Sequence, residues 1–240
     1  MPVTALAHLP QSGPTELLFL LLHGVGAEAS HMTPLAQRLV AEYPQAAVVC
    51  LNAPEAFDGL PGGGAGWQWF SVRELSEENR VDRVAAALPR FIATVRAAQQ
   101  QFGMTWERTA LAGFSQGAIM ALEAVQAEPA LAGRVLAFSG RHAVQPAHAP
   151  HDTTLHFFHG MSDAVISPAP AIDSAERLVA LGGDVTADVL PGIGHELHPL
   201  LIDKAIEQLR TFLPKRLWRE AMSEAPVLPR VASSDELSSD

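Results

Sequence analysis

The sequence predicts an α/β fold, with a mainly parallel central sheet and helices on both of its faces. Three observations carry that expectation. Short continuous apolar runs, with Leu17–Leu22 the longest, suit strands buried on both sides. These runs alternate with amphipathic stretches of helical spacing, the order that right-handed crossovers and a parallel sheet require. Finally, Gly113-Phe114-Ser115-Gln116-Gly117 joins a short apolar run, residues 109–112, to good helix formers at 118–125.

In chain order, Leu17–Leu22 is a central strand stopped by His23 and Gly24. Residues 31–43 read as a helix with Met32, Leu35, Leu39 and Val40 on its apolar face, ended by Pro44. Residues 47–51 form a second buried strand. Periodicity then fails from 55 to 78, which reads as a long surface loop. It holds four glycines between Gly62 and Gly66 and three aromatic rings, Trp67, Trp69 and Phe70. Such loops are usually functional or disordered. Lacking a Gly-Lys-Ser/Thr ending, this one is not a phosphate loop. Residues 79–102 are an amphipathic helix that Pro89 is expected to kink or split and Gly103 to end. After the glycine-flanked serine and its helix come strands at Arg134–Phe138 and 155–159 and a helix at 168–181. A strand nearer the sheet edge follows at 185–190, and the last long helix spans 197–213 with a turn or two more at 217–222. Residues 1–222 make one domain; 223–240 are expected to be a disordered C-terminal tail.

Composition narrows the function. The chain has 240 residues, 48% of them hydrophobic, enough for a large core. A formal net charge of -10 argues against nucleic acid and anionic membrane surfaces as partners. One cysteine, Cys50, excludes an internal disulfide and fits a reducing compartment. The first thirteen residues lack a cationic segment followed by an apolar one, and no apolar run could span a bilayer. A cytoplasmic location is expected, without stable membrane association, as a monomer or homodimer.

The chemistry centres on Ser115. A strand, a glycine-flanked serine and a helix together form the setting of a nucleophile elbow. The chain reverses over few residues there, and Gly113 and Gly117 have no Cβ to collide with the helix or the next strand. A serine that merely N-caps a helix is the plain alternative. A serine hydroxyl needs a base and a group to orient that base. On such an elbow the partners follow in the order acid, then His, each just past a strand. Asp163 follows the strand 155–159 and His195 follows the strand 185–190, so they are read as orienting acid and general base. Asp163 could instead be a turn or capping residue. His198 is the rival base, but it falls inside the last helix. His195-Glu196-Leu197-His198 lacks the second residue between Glu and His that a zinc motif needs. The crowd of His142, His148, His151, His156 and His159 has no regular ligand spacing, so no metal is expected. Oxyanion donors are expected from the backbone N–H groups of Gln116 and Val25, the latter in Leu22-His23-Gly24-Val25-Gly26. His23 reads as a structural residue holding that loop.

Taken with His159-Gly160-Met161-Ser162-Asp163-Ala164-Val165, Gly194-His195 and Gln68-Trp69-Phe70-Ser71-Val72, these motifs resemble the phospholipase/carboxylesterase family of α/β-hydrolases. That family includes the acyl-protein thioesterases, and the likeness is closest to a bacterial esterase branch. It covers residues 17–213. The resemblance implies an α/β-hydrolase fold and a cofactor-free serine hydrolase acting on carboxylic esters or thioesters, with Ser115, Asp163 and His195 as its triad. Glu196-Leu197 departs from the small polar pair found after this His in the thioesterases. The short stretch 140–153 leaves no room for a large lid domain, which favours small or flexible acyl substrates. Trp67, Trp69 and Phe70 are then either an apolar acyl wall or packing for their own loop. A catalytically silent binding protein, or a lactonase, acyltransferase or peptidase on the same triad, stays open as an alternative.

Overall fold

The computed structural model of the chain describes residues 4–224. Its main sheet runs β1-β3-β2-β6-β7-β8-β9. The strands are β1 (Thr4–His8), β2 (Leu17–Leu22), β3 (Ala46–Leu51), β6 (Thr109–Phe114), β7 (Arg134–Phe138), β8 (Thr154–Gly160) and β9 (Asp184–Leu190). All neighbours are parallel except β1, which lies antiparallel along β3 at one edge.

The continuous apolar runs are explained by two cores, one on each face. Leu18, Leu20 and Leu22 of β2 face α2 (Glu77–Phe102), α3 (Gln116–Ala127) and α4 (Ala169–Ala180). Phe19 and Leu21 face the opposite way, toward α1 (Thr33–Glu42) and α5 (Pro199–Thr211). Each such side chain contributes roughly 1.5–3 kcal/mol relative to exposure. The edge strand β9 has no fully buried residue, in keeping with its alternating sequence.

Several expectations need correction. The helix expected at 31–43 opens as a 3₁₀ turn, Ala29–Met32, before α1 begins. Residues 55–78 are not simply a surface loop. β4 (Glu55–Ala56) pairs with β5 (Trp67–Gln68), and Trp69 and Phe70 are buried. Helix α2 runs through Pro89 without a break. Proline deprives the carbonyl four residues back, on Ala85, of its partner; Ala85 and Pro89 are both exposed, so water can replace it. Helix α5 starts at Pro199, so His198 caps it from outside, its Nδ1 accepting the Leu200 N–H at 3.2 Å. Helix α6 (Lys215–Glu224) carries the folded part past residue 222 and is tied down by Arg216 over the Trp106 ring and by Arg219 on Asp152. The rest of the expected tail, 225–240, lies outside the described residues. Cys50 is buried in β3, where burial pushes its thiol up to about 11.

Candidate active site

Everything of chemical interest lies past the carboxyl ends of the parallel strands. At the end of β6 the backbone of Ser115 takes φ 53° and ψ -115°, a conformation costing a non-glycine residue about 1–3 kcal/mol. Both flanking glycines are sterically required. A Cβ on Gly113 would lie 2.4 Å from the Ala118 nitrogen, and one on Gly117 2.3 Å from the Leu22 oxygen. The Ser115 N–H donates to the Phe138 carbonyl at 2.9 Å, which fastens the elbow to β7. Ser115 is thus held at the first turn of α3, where free N–H groups and the helix dipole favour negative charge.

His195 reaches the same point from the end of β9. Its Nε2 is 3.0 Å from Ser115 Oγ, and its Nδ1 is 2.7 Å from Asp163 Oδ2. The carboxylate can only accept, so Nδ1 carries the proton and Nε2 is left to accept from the serine. Asp163, past β8, has a fully buried side chain. Burial pushes its carboxyl pKa up, but hydrogen bonds from His195 and from the Ile166 and Val165 N–H groups outweigh that and hold it below the ordinary carboxylate value. The two turns that carry acid and base are locked together. Ser162 N–H donates to the Ile193 carbonyl at 2.9 Å, and a Cβ on Gly160 would strike that same oxygen at 2.2 Å.

His159 is a neighbour that the sequence showed only as one of several histidines. It is buried, donates from Nε2 to the Ile166 carbonyl at 2.8 Å, and lies 3.2 Å from Asp163 Oδ2. Burial lowers its pKa, so it is neutral and braces the 163–166 turn. His142 and His156 are also buried, whereas His148 and His151 are exposed, and no group of three metal-ligating side chains occurs among the described residues.

Val25 and Gln116 both line the cleft at Ser115, and neither backbone N–H has a protein acceptor among the described residues. The Val25 loop is set by His23, whose Nδ1 donates to Gly24 O at 2.7 Å while its Nε2 accepts the Ala53 N–H at 2.9 Å. Burial lowers the pKa of His23, in keeping with this neutral tautomer. The side chain of Gln116 has a role that sequence reasoning missed. Its Oε1 accepts the Trp69 N–H at 2.7 Å and its Nε2 donates to Phe70 O at 2.8 Å, so the elbow pins the aromatic loop.

That pinning separates the three rings. Phe70 lines the cleft at Ser115. Trp69 does not; it packs edge-on against Phe91 and donates its indole N–H to His23 O at 2.8 Å. Trp67 is part-exposed and lies with Trp69 beside a different hollow, next to α2. Of the three rings only Phe70 lines either of the clefts at Ser115. Two clefts of similar size meet at Ser115. One, about 390 Å³, contains Gln116, Phe70, Ile119 and Arg141; the other, about 380 Å³, contains His195, Met32 and Leu197. A serine hydroxyl within hydrogen-bond reach of an imidazole that is itself bonded to a carboxylate, at the meeting of two clefts, is an arrangement capable of acyl transfer.

A family model described as phospholipase/carboxylesterase matches residues 9–213. Esterase YpfH of Escherichia coli (strain K12) is 44% identical over 210 residues, covering 88% of this chain and 89% of the relative. Acyl-protein thioesterase 1 of Gibberella zeae is 34% identical over 162 residues, 62% of this chain and 69% of the relative. Among solved structures, that of esterase PE8 superposes with a TM-score of 0.79 at 27% identity, covering 89% of this chain and all of that one.

Proposed function

The chain belongs to the phospholipase/carboxylesterase family, and on that premise we propose that it hydrolyses carboxylic esters with Ser115 as nucleophile, His195 as base and then acid, and Asp163 as orienter. The unbroken path from carboxylate to imidazole to hydroxyl, at 2.7 and 3.0 Å, is the observation that carries the assignment. Ser115 Oγ attacks the ester carbonyl carbon as its proton passes to His195 Nε2. The carbonyl oxygen becomes an oxyanion facing the Val25 and Gln116 N–H groups, each such donor typically being worth about 2.7–4 kcal/mol in the barrier. His195 returns the proton to the departing alkoxide, the ester C–O bond breaks, and the acyl group stays on Ser115. Water then adds to the acyl carbon and gives its proton to His195, which passes it to Ser115 Oγ as the acid product leaves. Asp163 keeps the proton on His195 Nδ1 and offsets the imidazolium charge without itself being protonated.

Thioesters are a second substrate class, favoured by the 34% identical relative named as a thioesterase. The same steps apply with a thiolate leaving group. A fluorophosphonate probe is expected to label the wild-type protein at Ser115 and to leave Ser115→Ala unlabelled. A folded wild-type protein that takes up no probe would point instead to a silent binding protein on the same frame.

A further inference from the structure

The cleft that holds the acyl chain can be identified from the proton path. His195 must protonate the leaving-group oxygen, so the leaving group lies over the imidazole, in the cleft containing Met32 and Leu197. The acyl chain is left with the other cleft, which also contains Phe70 and Ile119. That cleft is not apolar throughout. Arg80 and Arg141 both line it, with side chains only 17% and 18% exposed. Among the described residues their single carboxylate partner is Glu77, whose own side chain is 71% exposed and approaches from the first turn of α2. Glu77 accepts from one nitrogen of each arginine; the remaining guanidinium N–H groups have no protein acceptor among the described residues. Two largely covered cations against one exposed anion, all three lining the cleft, leave it with a net positive charge in a chain whose formal net charge is -10. Charge focused in a low-dielectric cleft selects for ligands of the opposite sign.

We propose that the preferred substrates are esters whose acyl chain ends in a carboxylate, that is, half-esters of dicarboxylic acids, with Arg80 and Arg141 receiving the free carboxylate. The proposal rests on the esterase reading above. The planar forks of the arginines suit a carboxylate, and charge-assisted hydrogen bonds there are stronger than neutral ones. Glu77 competes with the substrate for the same donors.

The test compares ethyl half-esters of adipic, pimelic and suberic acids with ethyl hexanoate, heptanoate and octanoate, equal in acyl carbon number, on the full chain. The half-esters are expected to have a kcat/KM at least about tenfold higher at one or more lengths, mainly through KM. Arg141→Met and Arg80→Met should each shrink that ratio, and Glu77→Gln, at an exposed position, should enlarge it. A wild-type ratio near or below one at every length overturns the proposal, as does a ratio that neither arginine variant changes. If no ester of either series is cleaved and fluorophosphonate leaves Ser115 unlabelled, the esterase reading fails and takes this inference with it.

Discussion

The two halves of the site are built in different ways. One half, holding Ser115, Asp163 and His195, hangs on strand ends. Backbone contacts fix it, and they tolerate almost nothing: Gly113, Gly117 and Gly160 each touch a neighbouring main chain where a Cβ would stand. The other half is the loop carrying Trp69 and Phe70. It is held by bonds to groups far along the chain, chiefly the Gln116 amide on the loop backbone and the loop's own Trp69 indole on His23 O. The first half is stiff and local; the second is a set of long-range pins. Damage to the first should appear in the chemistry, and damage to the second mainly in stability.

The sharpest contrast comes from Asp163→Asn. The change keeps the shape of the strand-end half but gives the imidazole the wrong tautomer, and kcat is expected to fall by about 10⁴-fold with little change in Tm. A loss below about tenfold would remove Asp163 from the relay.

Acid is expected to destabilise the fold on which both halves rest. His142, just past β7, and His156, within β8, are buried, and burial lowers their pKa values to about 4 and about 3 from the ordinary 6.5. The unfolded chain therefore binds more protons below about pH 6.5. Stability is full above that pH and declines as pH drops through the window down to those lowered values. Neither ring nitrogen of His142 has a hydrogen-bond partner, so His142→Phe should recover on the order of 3 kcal/mol at pH 4. Denaturant melts of both proteins at pH 7 and pH 4 measure this.

Gln116→Leu removes a pin from the loop half while leaving the backbone N–H of residue 116 on the elbow. It strands the Trp69 N–H and the Phe70 carbonyl, at about 1–3 kcal/mol for each buried group left unpaired. The expected result is a lower denaturation midpoint, with a loss in kcat well short of the ~100-fold that a missing oxyanion donor produces. The smallest effect is expected from Trp69→Phe, which keeps an aromatic ring but loses the bond to His23 O. About 1 kcal/mol of stability should go, with kcat within about twofold. A large fall in kcat in either variant would erase the division between the halves.

The same division governs what could be read in the sequence. That Ser115, Asp163 and His195 meet is legible because each follows a strand in a fixed order, and glycine spacing betrays close backbone approach. The loop half was not, because nothing local to Trp69 says that its N–H will meet an amide at residue 116. Pro89 misled for a related reason: the rule against proline in a helix assumes that the orphaned carbonyl is dry, and Ala85 is exposed. Strand β1 went unseen because its short sequence has no strong pattern and its place comes from backbone pairing along β3. His198 reads as part of the last helix because apolar spacing continues through it, whereas its side chain caps the helix that starts at Pro199.

Between β7 and β8 the chain spends only residues 139–153, and no helix or strand stands among them. Among the described residues no inserted lid element must swing aside before a dissolved ester arrives. Turnover therefore needs no oil–water boundary to switch it on, and progress curves should begin without a lag. Velocity should saturate with monomeric substrate instead of jumping once droplets or micelles form.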